Sequence, residues 1–124
     1  MAARLLFSTV AAVLASFSPD GATAAQLGSS TTDVLRVLAD LTLIDGACPN
    51  DVVNFGTVLR FTAGKGVPGV DMLPGGPRRS EFEAVLRARK ASFDQDELCG
   101  EIAANYAEAL PGSVGLRPGS GARP

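Results

Sequence analysis

Three groups of residues in this 124-residue chain have types and spacing that bear on chemistry. The first is Gly64-Lys65-Gly66-Val67-Pro68-Gly69, whose glycines fall at the intervals of a dinucleotide-binding loop. Such a loop holds a pyrophosphate only when a strand leads into it and a helix N-terminus follows. Here a helical pattern leads in, and the following Val70-Asp71-Met72-Leu73-Pro74-Gly75-Gly76-Pro77 cannot open a helix. The Lys-Ser/Thr ending of a phosphate loop is also missing. These glycines are therefore turn-formers in a connector.

The second group is Cys48 and Cys99, 51 residues apart. Redox-active dithiols sit close in sequence, and two thiols in a chain with no histidine make a poor zinc site. The pair is expected to form a structural disulfide. The third group is basic: Arg78, Arg79, Arg87, Arg89 and Lys90 lie within thirteen residues, interleaved with Glu81 and Glu83. They form either a solvated helix face or a surface for an anionic headgroup or an acidic protein, while Val70, Met72 and Leu73 of the connector either tuck onto the helices or form an exposed ligand for a partner.

Catalysis has few candidates. Without histidine the usual nucleophilic triads are excluded, and general bases would be carboxylates or lysines. Asp94, Asp96, Glu97 and Glu101 crowd the start of one helical segment, where carboxylates cap and complement the dipole. Their spacing lacks the alternating oxygen ligands and central glycine of a calcium loop. The residues call for no metal, no cofactor and no enzymatic role.

Four segments with helical periodicity must position these groups. The first is 32–44 (TDVLRVLADLTLI), with Val34, Val37, Leu38, Leu41 and Ile44 on one face, Thr31 or Thr32 as cap and Asp45-Gly46 as stop. The second runs from Pro49-Asn50-Asp51 to about Ala63, with Asn50 as cap and Gly56 in mid-helix, where glycine costs about 1 kcal/mol. The third is 80–90 (SEFEAVLRARK), opened by a Ser80–Glu83 capping box. The fourth is 94–110 (DQDELCGEIAANYAEAL), where Leu98, Ile102, Tyr106 and Leu110 recur every four residues and Pro111-Gly112 ends the helix. No strand of useful length alternates, so the expected fold is all-α, a small four-helix domain over 30–111. Residues 112–124 read as a disordered tail.

The N-terminus supplies the compartment. Arg4 precedes the apolar run 5–17 (LLFSTVAAVLASF), followed by the breaker Pro19-Asp20-Gly21 and by Ala22-Thr23-Ala24-Ala25. Charge, short apolar run, breaker and small residues in that order form a cleaved secretory signal, expected to span 1–25. The run is too short for a bilayer, which needs about 20 residues. Removal leaves 99 residues with the net charge unchanged at −2, which gives no global attraction to nucleic acid. A domain of that size buries only about 60% of its unfolded surface, so a covalent link matters to its stability. The expected location is periplasmic or secreted.

The placement of Cys48 and Cys99 in a short helical chain behind a signal peptide resembles the acid-stress chaperones of the HdeA type. It is also similar to the two-cysteine helical proteins that Gram-negative bacteria export. The first resemblance implies a holdase that opens in acid and exposes apolar surface to unfolding clients. The residues themselves favour a non-catalytic exported module that binds another protein or an envelope component.

Overall fold

The first helix begins where the sequence offers the strongest cap. A computed structural model describes residues 27–118; the expected signal 1–25 and the last residues of the tail lie outside the described residues. Helix α1, Thr31–Ala47, is capped by Ser30, not by a threonine. The Ser30 hydroxyl accepts from the Asp33 amide at 3.1 Å, and the Asp33 carboxylate accepts from the Ser30 amide at 3.4 Å. That reciprocal pair satisfies two amides that would otherwise have no partner. The hydrogen bond from Ser30 holds the Asp33 carboxyl below its ordinary value. The helix runs on through Asp45-Gly46, because Gly46 keeps a negative φ and only Cys48 turns extended.

Helix α1 is the centre of the core. Val34, Leu35, Val37, Leu41 and Ile44 are fully buried, and each contributes about 1.5–3 kcal/mol by leaving water. Helix α3, Arg79–Ser92, packs along it and buries Phe82. The expected Ser80–Glu83 box does not form. The helix starts one residue earlier without a side-chain cap, and Glu83 instead pairs with Arg79 at 3.3 Å.

Between them the chain departs from the four-helix expectation. Residues Asp51–Val53 form strand β1, and helix α2 begins only at Phe55, running to Gly64. The paired valines 52 and 53 resist helix, and Asn54 supplies the cap by accepting from the Thr57 amide at 3.3 Å. Gly56 thus lies in the first turn of α2, not in its middle. A 3₁₀ turn, Gly69–Met72, then tucks Met72 into the core.

The last helix, α4, covers 95–109 in three joined stretches: Gln95–Glu97, a π turn at Leu98–Ile102, and Ala103–Ala109. Asp94 caps it, with Glu97 closing a capping box. The π turn follows from the sequence repeat. Residues recurring every four positions drift by about 40° per turn around a 3.6-residue helix. One wider turn cancels the drift and keeps Leu98, Ile102, Tyr106 and Leu110 against the core.

Beyond α4 the expected disorder of 112–124 is replaced, as far as Pro118, by ordered chain. Strand β2, Val114–Leu116, pairs antiparallel with β1, Val53 opposite Val114 and Asp51 opposite Leu116. Ser113 is buried, with its hydroxyl on the Tyr106 carbonyl at 3.2 Å. Arg117 donates from Nε to the Pro49 carbonyl at 2.9 Å and from Nη2 to the Asp51 carbonyl at 3.1 Å. The fold is therefore four helices with a short two-stranded ribbon among the described residues.

Within the glycine motif, Gly66 has φ +85°, and it terminates α2. The Val67 amide reaches the Thr62 carbonyl at 2.9 Å and the Gly66 amide reaches that of Ala63 at 3.0 Å, the bond pair of a Schellman motif. Val67 then buries its side chain. The motif closes a helix where a nucleotide loop would open one. A Cβ at Gly66 or at Gly64 would meet nothing within 4 Å, so backbone conformation alone separates the two sites. Gly66→Ala is expected to cost about 1–2 kcal/mol, whereas Gly64→Ala, helical and open, should stabilise by up to about 1 kcal/mol. Chemical denaturation of the two variants checks the opposite signs.

Candidate functional site

Among the apolar residues of α1, Asp40 points inward and is 1% exposed. A carboxylate at that depth requires partners, and two distant elements supply them. From α3, Arg89 donates through Nε to Oδ1 at 2.7 Å and through Nη2 to Oδ2 at 2.9 Å. From α4, the Tyr106 hydroxyl donates to Oδ2 at 2.6 Å. One carboxylate thus joins three helices. The Arg89 guanidinium also lies over the Phe93 ring, 4.6 Å from its centroid, which fixes its plane.

The trio floors an open cleft of about 180 Å³, walled by Leu27, Arg36, Ile102 and Asn105. Burial pushes the Tyr106 hydroxyl well above the ordinary phenol range, and the charge of Asp40 adds to the effect. The hydrogen bond to Asp40 raises Arg89 as well. A tyrosine held neutral keeps its hydrogen on Asp40, and an arginine held charged retains an Nη1 amino group that can donate to a ligand. Two further hollows flank α4. One lies between its small residues, such as Ala104, and strand β2. The other lies between Leu43, Phe93 and Leu98.

The raised Tyr106 has a measurable consequence, since it is the sole tyrosine and there is no tryptophan. Its folded value lies above the unfolded value of 10.0, so the stability it contributes is complete below about pH 10. Above that, the unfolded chain releases a proton that the folded chain retains, and stability falls by about 1.4 kcal/mol per pH unit. Tyrosinate absorbance is expected to appear in one steep step together with loss of the helical circular dichroism signal. Ionisation near pH 10 with the helices intact would show the hydroxyl to be solvated.

The disulfide forms as expected: Cys48 and Cys99 are bonded with their Cα atoms 5.4 Å apart. Cys48 follows the last turn of α1, and Cys99 lies in the π turn of α4. The residues named for a partner surface do not stay together. Met72 is buried, and its carbonyl accepts from Arg79 at 3.0 Å. Leu73 is 57% exposed, beside Val70 at 66%. Arg78 pairs with Asp71 and Glu81, at 3.4 and 3.6 Å, and Arg79 with Glu83. Arg87 and Lys90 are exposed. Arg89 is turned inward to Asp40, and so departs from the basic face it was read with.

Asp40, Arg36, Asn105 and Tyr106 were not singled out by motif. The available signal was an acid three residues after Val37 and four before Ile44, on the apolar stripe itself. Compared with known proteins, the chain matches no family model, no curated protein and no solved structure.

Proposed function

We propose that the protein is an exported, non-catalytic helical module, periplasmic or secreted, that binds another protein or an envelope component. The observation that carries this is the Cys48–Cys99 bridge. Bonds of this kind form and persist in oxidising compartments, and they are most useful to domains too small to rely on their core. The sequence features of 1–25 point the same way. No helix among the described residues is long and apolar enough to cross a membrane.

Two measurements test the proposal. Intact mass of the native product is expected to lack the leader and to show both sulfurs unavailable for alkylation; a retained leader or two free thiols overturns export. The processed protein is then used to retrieve partners from envelope extract, with and without reductant. A discrete partner held only by the oxidised form supports the binding role. Suppression of client aggregation in acid but not at neutral pH, with no such partner, would replace it with the holdase of the HdeA type.

A further inference from the structure

We propose that the cleft over Asp40, Arg89 and Tyr106 binds a small monocarboxylate carrying an apolar group. Arg36 and Arg89 would hold the carboxylate, and Leu27 and Ile102 the apolar part. This goes beyond the binding role above and stands on the cleft alone.

Charge selects a monoanion. Two arginines and one buried aspartate line the cleft. Both oxygens of Asp40 are engaged by Arg89, so this pair is internally neutral. Among the described residues Arg36 makes one ion pair, to Asp33 at 3.3 Å on the exposed side, and such a pair is weak. One positive charge therefore remains for the cleft to share, and a dianion such as phosphate would leave a negative charge uncompensated in a partly dry site. Among the described residues, Asp33 pairs with Arg36 and Asp40 is the acid that lines the cleft, and both are accounted for.

Donor chemistry selects a carboxylate over a neutral polar group. Arg89 uses Nε and Nη2 on Asp40, which leaves its Nη1 amino group for another acceptor. Tyr106 spends its hydrogen on Asp40. The groups that remain to meet a ligand are guanidinium N–H donors and the Asn105 amide, a set that suits an acceptor-only anion. Beside them Leu27 is buried and Ile102 half-buried, an apolar wall adjoining the charged end. The cleft is small and open on one side, and its apolar wall is only two side chains long, which suits a short-chain acid. Such a group comes from a free organic acid or from the C-terminal residue of a peptide.

Tyr106 is the built-in probe, as its emission is the sole intrinsic signal and its hydroxyl lies in the cleft floor. Titration with acetate, butyrate, hexanoate and octanoate is expected to give saturable changes. Affinity should rise about fourfold per methylene while the chain covers the wall of Leu27 and Ile102, and level off beyond it. Hexanol, uncharged and of equal length, should bind at least about tenfold more weakly than hexanoate, and Arg36→Gln should weaken hexanoate by a similar factor. Because hexanol is tested on the native chain, the comparison holds even if the variant is less stable. N-acetyl-leucine outbinding hexanoate would identify a peptide C-terminus as the source, and the reverse order a free acid. Hexanol binding as well as hexanoate, or no saturation with any acid at millimolar concentration, overturns the proposal while leaving export and the disulfide untouched.

Discussion

Arg89→Met is expected to destabilise the domain by about 3–5 kcal/mol, the cost of stranding a buried carboxylate. Asp40 is 1% exposed and would keep only the Tyr106 hydroxyl as a donor. Asp40→Asn removes the other half of the same pair, yet it should cost less, about 1–3 kcal/mol. The asymmetry arises because the Arg89 side chain is 29% exposed and can turn to water, whereas Asp40 has no such route. Removing both charges, as in Asp40→Leu with Arg89→Met, should recover much of the loss, since apolar replacement of a buried pair is often neutral. Urea midpoints for the three variants measure these terms. A smaller loss for Arg89→Met than for Asp40→Asn would mean that solvent reaches the carboxylate, and the buried network would have to be redrawn.

The second large effect comes from the sulfurs. Replacing Cys48 and Cys99 by alanine is expected to lower stability by about 4 kcal/mol, the chain entropy of a loop closed across 51 residues. Small domains have net stabilities of about 5–15 kcal/mol, so the variant would be marginal. At about 4–8 °C per kcal/mol the melting point should fall by about 15–30 °C, and reductant should reproduce the shift in the native chain. An unchanged melting point under reductant would place the stability in the α1–α3 packing alone. Binding in the cleft provides an independent check, because its walls do not include either cysteine.

The parts of the fold that were legible are those written in local pattern. The apolar stripe of α1 and the Asp94 cap of α4 follow from spacing, and the cysteine pairing from the distance between the two thiols and the absence of histidine. The ribbon was not legible. Each strand is three residues long, and Val114–Leu116 reads as tail until its partner, more than sixty residues earlier, is known. Asn50 and Asn54 are equal as caps in sequence, and only pairing of Asp51–Val53 decides for the second. The cleft was hidden for a related reason. Arg89 sits among five basic residues, and nothing local distinguishes the one that turns inward from Arg87 or Lys90, which do not. Asp40 carried the clue, but its partners lie 49 and 66 residues away.

The bond between Cys48 and Cys99 makes a covalent ring that contains β1, α2, the glycine-rich connector and α3. A protease that cuts anywhere between 64 and 79 therefore opens the ring without dividing the molecule. The nicked protein should migrate as one species on a denaturing gel until reductant separates the pieces. Foreign sequence grafted into that stretch would likewise stay tethered at both ends, which makes the connector the place to insert a tag or a sensor loop.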